Sequence, residues 1–285
     1  MNIITIGAGF ISSYLPYTLY HNKLSPDVVS INRFIDEYKP DVIINAAGKT
    51  GRPNIDWCEE HRTETYTANT VLPLVLAAEC EKRNIRMIHF GSGCVFSGVS
   101  PHITILDEFG DYDGGFIEND IANPQSYYAN TKLATDLAIG SMSNVCILRL
   151  RMPIGNSLSQ RNLISKLLGY KKVLIAKNSV SFVDDIVNAT AFVIEKQLSG
   201  IYHITSPYPL YHSQILDEYK HYAPTHTYEK ILPHELDTIV AAPRSNCILN
   251  SNKIIDKGFV FMDQNKLLRE YIRAYVKNQR KQDGR

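Results

Sequence analysis

Ile3-Ile4-Thr5-Ile6-Gly7-Ala8-Gly9-Phe10-Ile11-Ser12 is the stretch on which the reading of the fold turns. Four β-branched residues predict a strand, the two glycines a tight turn, and the residues after them the start of a helix. Backbone N–H groups at such a helix start lack partners, and the helix dipole favours an anion there. Ser12 stands where a third glycine would allow close helix–strand packing, so the motif is an imperfect dinucleotide-binding turn. Pro16 limits the helix to about Tyr14, leaving Tyr17 to His21 for a short second strand. Ile31 to Tyr38 reads as a helix stopped at Lys39-Pro40, and Asp41 to Ala47 as a strand too apolar to have one face in water. A helix from Glu64 to Arg83 follows, with a kink expected at Pro73, then a strand from Arg86 to Phe90, a helix from Ser126 to Ile139 and a strand from Asn144 to Leu150. Buried strands alternating with helices predict an α/β fold built on a doubly wound parallel sheet.

Beyond residue 152 the alternation becomes irregular. Asn162 to Leu168, Val183 to Lys196 and Gln214 to His221 read as helices, and Gly200 to Thr205 as a strand. This predicts two interleaved domains: a nucleotide-binding one from 1–152 plus about 181–206, and a smaller C-terminal substrate domain from about 153–180 plus 207–285. Lys277 to Arg285 reads as a polar, mobile tail.

Thirty Lys and Arg against 29 Asp and Glu leave a net charge of +1, which argues against a nucleic-acid partner and requires any anionic ligand to be held by local groups. The five cysteines show no CxxC pair and no Cys/His cluster, arguing against a disulfide framework or a metal site. No apolar run is long enough to span a bilayer, so no membrane partner is expected and the chain reads as cytosolic.

Tyr128 and Lys132 lie four residues apart at the start of a predicted helix, on one face. A neighbouring ammonium stabilises phenolate, so Lys132 is expected to lower the pKa of Tyr128, which would pass a proton to a carbonyl oxygen as hydride reaches its carbon. Ser92 lies at the carboxyl edge of the Arg86 to Phe90 strand, where open α/β sheets bind ligands, and could polarise the same carbonyl. No acidic residue follows the second strand to hold a ribose 2′-hydroxyl, whereas His21, Asn22 and Lys23 could meet a 2′-phosphate, favouring NADP over NAD. Arg52 and Arg244 are candidates for a diphosphate or base, with ordinary surface ion pairing as the competing reading.

The Gly-rich turn, Asn45-Ala46-Ala47-Gly48, Ser92 and the Tyr128/Lys132 pair, in that order, resemble the extended short-chain dehydrogenase/reductases, which have a Rossmann nucleotide-binding domain. Gly48 to Glu59, Gly93-Cys94-Val95-Phe96, Leu148 to Ile154 and Ala242 to Asn246 narrow the resemblance. They look like the UDP-4-keto-6-deoxyglucose 3,5-epimerase/4-reductases of UDP-L-rhamnose synthesis, and the match runs over nearly the whole chain. It is with the C-terminal half of the plant enzymes. A free-standing copy rich in Ile, Asn, Lys and Tyr would suit a giant virus, with the host cytoplasm as its setting.

The resemblance implies NADPH as cofactor, UDP-4-keto-6-deoxyglucose as substrate and an upstream 4,6-dehydratase to supply it; a homodimer is compatible with it. It also implies that Cys94 and Lys166 are the acid/base pair of epimerisation, beside Ser92, Tyr128 and Lys132. Gly7, Gly9, Phe10, Ile11, Lys23, Ala46, Ala47, Gly48, Arg151 and Pro153, with Tyr128 and Lys132, would line the cofactor. Arg52, Asn54, Asn162 and Arg244 would line the substrate, and Asn69 would act near the active-site helix through backbone or water. Two other readings stay open: a monofunctional reductase resembling dTDP-4-dehydrorhamnose reductase, from which Cys94 with Lys166 discriminates, and a non-catalytic NADP-binding regulatory subunit.

Overall fold

Six parallel strands make the central sheet in the computed structural model, which describes residues 1–105, 112–236, 238–282 and 284. In chain order they are β1 (Ile3–Ile6), β2 (Thr18–Tyr20), β3 (Val42–Asn45), β4 (Arg86–Ser92), β5 (Val145–Leu150) and β6 (Gly200–His203). They lie side by side as β2-β1-β3-β4-β5-β6. The order reverses between β1 and β3, and a crevice beyond the carboxyl ends of the strands at such a reversal is where open α/β sheets hold ligands. The sheet is the doubly wound parallel type expected. A 3-10 turn at Ser12–Tyr14 replaces a full first helix, and β2 is an edge strand of three residues followed directly by the Val28–Tyr38 helix.

Alternate residues of each strand feed opposite faces, as the period of two requires. Ile43, Met87 and Ile147 pack under Ile31, Phe34, Leu76 and Ile139. Val42, Ile44, Ile88 and Leu148 pack against Ile186, Ala189 and Val193. Each fully buried aliphatic side chain contributes about 1.5–3 kcal/mol, so both faces hold the sheet rigid beneath the crevice. A third core joins Ile154, Leu163, Phe182, Leu210, Leu216, Tyr271 and Ile272, and Phe10 from the Gly-rich turn enters it.

The helix expected from Glu64 runs as Arg62–Tyr66 and Leu72–Lys82, joined through a wide π turn at Thr67–Val71. Pro73 explains the break. It has no N–H to give to the carbonyl four residues back, that of Asn69, and the Thr135 hydroxyl donates to that carbonyl instead, at 2.5 Å. The expected mobile tail from Lys277 is a correction: the Gln264–Gln282 helix continues through it. Leu268, Tyr271, Ile272, Tyr275 and Val276 form a buried stripe at helical spacing, and Gln279 accepts a hydrogen bond from Tyr219. Asp283 and Arg285 lie outside the described residues.

Candidate active site

Ser126 caps the Tyr127–Ile139 helix, its hydroxyl accepting the Ala129 N–H at 3.2 Å. The cap sets the first turn, so Tyr128 and Lys132 share the face turned to the end of β4. Both are buried, at 9 % and 4 % exposure, as is Ser92 at 5 %. Ser92 is the last residue of β4, two residues later than the expected strand end, and its hydroxyl accepts the Cys94 N–H at 3.2 Å. Asn69, also buried, braces the helix from the side by donating to the Thr131 hydroxyl and the Lys49 carbonyl at 3.1 and 2.9 Å. The sequence reading left its partner open.

Lys132 is the main correction. Its ammonium donates to the Phe90 carbonyl at 2.8 Å and lies 3.2 Å from Nε2 of His89. His89 is fully buried, and burial together with the Lys132 charge holds its imidazole neutral, so Nε2 can accept. Tyr128 is not lowered as expected: burial raises its pKa, the nearby Cys94 adds to the rise, and a hydrogen bond with Ser92 opposes it. Burial pushes Lys132 itself down to about 8, against the pull of Asp136. Sequence spacing put phenol and ammonium on one helix face, but two of the three Lys132 donors point at β4.

Cys94 is part-exposed at the site, and the Arg151 guanidinium donates to its sulfur from beneath at 3.2 Å. Burial lowers the Lys166 pKa, with the charge of Arg161 acting the same way and Cys94 acting against it. This is the direction a lysine needs to exchange protons near neutrality. Arg161, missed in the sequence, hydrogen-bonds the Thr50 hydroxyl, and its own pKa is lowered by burial and by Arg52, with Tyr128 acting in the opposite sense. It is thus an arginine within electrostatic reach of both the phenol and Arg52. No local signal marks it, since the residue types around it do not reveal that the 155–162 loop folds back over Thr50.

At the cofactor end, Gly7 has φ +92° and a Cβ there would lie 2.3 Å from the Ala47 N, so only glycine permits β1 and β3 to close together. A Cβ on Gly9 would meet nothing within 4 Å, which leaves open space beside the turn. The Ser12 hydroxyl accepts the Gly9 N–H at 2.7 Å and donates to the Gly9 carbonyl at 3.0 Å, closing the turn where the third glycine is missing. Ala46, Ala47 and Gly48 border the same crevice from the end of β3, and Lys49 N–H is held by Asn69 at 2.7 Å. Ile11 packs part-buried beside Phe10, whose side chain serves the third core, so what this stretch offers a ligand is its backbone. Lys23 is exposed beyond β2, and Pro153 is part-buried in the short strand after Arg151.

The substrate residues divide. Arg52 is exposed and free to meet an anion, and Asn54 closes the turn to Asp56 by accepting its N–H at 2.8 Å. Arg244 forms a two-point ion pair with Asp56, 2.7 Å at each contact, which holds the Asp56 carboxyl below its usual range. Its fork is thereby committed within the protein. Asn162 is completely buried and uses its whole amide on the Gly155, Ser157 and Ile164 backbone, so the structure gives it to the loop rather than to a ligand.

Residues 23–275 match the model of the RmlD substrate binding domain. The chain is 36% identical over 243 residues to the bifunctional dTDP-4-dehydrorhamnose 3,5-epimerase/dTDP-4-dehydrorhamnose reductase of Arabidopsis thaliana, covering 84% of this chain and 78% of that one. It is 35% identical over 244 residues to the Arabidopsis trifunctional UDP-glucose 4,6-dehydratase/UDP-4-keto-6-deoxy-D-glucose 3,5-epimerase/UDP-4-keto-L-rhamnose-reductase RHM3. That match covers 84% of this chain and spans about a third, 36%, of the longer protein. The crystal structure of the L780 UDP-rhamnose synthase from Acanthamoeba polyphaga mimivirus superposes with a TM-score of 0.84 at 26% identity, over 95% of this chain and 99% of that one.

Proposed function

Because the chain belongs to the RmlD substrate binding domain family, we propose that it converts UDP-4-keto-6-deoxyglucose to UDP-L-rhamnose by 3,5-epimerisation followed by NADPH-dependent reduction of the C4 ketone. What supports this reading is Cys94 beside Ser92 and Tyr128, with a buried Lys166 within electrostatic reach of Cys94. A plain 4-ketoreductase needs only Ser92, Tyr128 and Lys132, whereas inversion at C3 and C5 needs a base and an acid besides.

The residues divide the work as follows. Ser92 and Tyr128 face the C4 oxygen; their hydroxyls stabilise the enolate that forms when a proton leaves C3 or C5. Cys94 and Lys166 take and return protons on opposite faces of the ring. NADPH, when bound, would supply the hydride to C4, and the empty space beside Gly9 together with the close Gly7–Ala47 approach leaves room for its diphosphate. Tyr128 then gives its proton to O4; its raised pKa keeps the phenol protonated until the oxygen needs it. Lys132 is fixed by Phe90 and His89 one turn along the same helix, and Arg161 supplies positive potential at the phenol. Arg52 and Arg161 face the sugar nucleotide diphosphate, which a protein of net charge +1 must hold by local cations. A separate 4,6-dehydratase supplies the substrate.

The test is incubation of the protein in heavy water with UDP-4-keto-6-deoxyglucose and no NADPH. Deuterium is expected at C3 and C5, because exchange needs an acid/base pair but no hydride, and Cys94→Ala should suppress it. A wild type that exchanges nothing, yet reduces a keto sugar whose centres are already inverted, makes the protein a monofunctional reductase. A parallel incubation with the dTDP-linked sugar reads the base preference.

A further inference from the structure

We propose that Arg151 is a positioning residue that holds Cys94 as the thiolate partner of the acid/base pair, an inference that rests on the epimerase reading above. Arg151 is the largest completely buried side chain among the described residues, at 1 % exposure. A buried guanidinium is costly unless an anion or a full set of acceptors meets it. Among the described residues no carboxylate lies within ion-pair distance of it. Its acceptors are neutral: the Asn178 amide oxygen at 2.7 Å and the Ser245 carbonyl, and its Nε finds no partner. The remaining contact is the 3.2 Å donation from Nη1 to the Cys94 sulfur.

The ionisable groups that face this guanidinium are Cys247, Cys94 and Tyr128, neutral acids in their ordinary state, and His212, whose pKa burial and the guanidinium push down to about 4 and so keep neutral. Of the two thiols, Cys247 is 2 % exposed and burial raises its pKa, whereas Cys94 is part-exposed and opens on the reaction centre. The charge that Arg151 calls for therefore falls on Cys94. The backbone is shaped to allow it: a Cβ on Gly93 would lie 3.2 Å from Arg151 Cδ and 2.5 Å from Leu249 Cδ1, so a side chain at 93 would push the arginine away. The Ser92 hydroxyl fixes the Cys94 backbone from the other side.

In the reaction the thiolate takes the proton from C3 or C5, and the C–H electron pair becomes the carbon–carbon double bond of the enolate at O4. The Lys166 ammonium gives a proton to the opposite face of that carbon, the enolate pair forms the new C–H bond, and Lys166 then takes a proton back from solvent as Cys94 loses its own. No oxidation state changes, and each inversion leaves the site as it found it. Arg151 has no proton to exchange with the sugar and acts through Cys94 alone; its part is to keep the sulfur charged and aimed.

The experiment is the rate of Cys94 alkylation by iodoacetamide, followed by mass spectrometry from pH 5 to 9 in wild type, Arg151→Met and Arg151→Lys. The other four cysteines are buried, so the reading belongs to Cys94. Arg151→Met is expected to slow alkylation at pH 7 by about tenfold or more and to move its rise to higher pH, as a lost cation does to a thiolate. Arg151→Lys should recover part of the rate, and Arg151→Met should lose more C3 and C5 exchange than 4-keto reduction. Alkylation in Arg151→Met within about twofold of wild type overturns the proposal. Should both variants fail to fold, the wild type decides through its ultraviolet thiolate absorbance at pH 7: a signal lost in Cys94→Ser supports the pair, and no difference overturns it. A wild type that exchanges no deuterium removes the epimerase reading, while the alkylation profile still reads the Arg151–Cys94 pair.

Discussion

Lys132 shows how much a single buried side chain can set. Its ammonium is 4 % exposed and its pKa falls from 10.5 to about 8, because burial penalises the charged form. Between these values the unfolded chain binds more protons than the folded one, so stability rises with pH through about 8 to 10, by on the order of 3 kcal/mol. Below pH 8 both states carry the charge, and the penalty is present in full. Denaturant titrations of wild type against Lys132→Met should therefore show the wild type gaining on the variant as pH rises through this window. A constant difference from pH 7 to 10 would mean that the ammonium is solvated in the folded protein. The same titration makes the alkaline side of ketoreduction fall near pH 8 if the charged ammonium is required.

The Tyr127–Ile139 helix is the element on which the chemistry hangs. The sequence reading started this helix at Ser126, and the structure makes that residue its N-cap, the hydroxyl accepting the Ala129 N–H. Ser126→Ala should cost about 1 kcal/mol of stability. Because Tyr128 sits in the first turn, two residues past the cap, kcat for 4-keto reduction should fall with little change in NADPH binding. A thermal melt and a steady-state assay check both; loss of stability without loss of kcat would show that the Glu59 carboxylate, which accepts the Tyr127 N–H at 2.7 Å, holds the first turn by itself. The neighbouring helix was legible only in outline. Pro73 announced a break, but the π turn, and the Thr135 hydroxyl that takes the stranded Asn69 carbonyl, depend on a partner 66 residues away.

At the scale of the molecule, the reversal of strand order between β1 and β3 gathers the Gly7 turn, the Ala46–Gly48 edge and Ser92 along one rim. The nicotinamide cofactor must reach from that rim to the exposed Lys23 beyond β2 if the extra phosphate is to be read. Lys23→Glu is expected to lower kcat/KM with NADPH by about tenfold, the loss of one charge-assisted contact, and to leave NADH nearly unaffected. Equal losses with both cofactors would place the phosphate elsewhere.

The strands, the Gly-rich turn, the helix from Ser126 and the placing of Tyr128 and Lys132 on one of its faces could be read from the chain because they depend on local rules: β-branched runs, glycine conformations and the spacing of one helical turn. Ser12 looked like a defect by the same rules, and only the folded turn shows its hydroxyl binding the Gly9 backbone in place of tight packing. The direction of the Tyr128 pKa could not be read, since burial depends on what covers the phenol and the Lys132 donors were claimed by His89 and Phe90 on another strand. Arg244 and Asn162 likewise looked available to a ligand until Asp56 and the 155–164 backbone took their hydrogen bonds. Short-range preferences are written in neighbouring residues. The charge and contacts of a buried group belong to partners brought together from distant parts of the chain, and these only the tertiary structure decides.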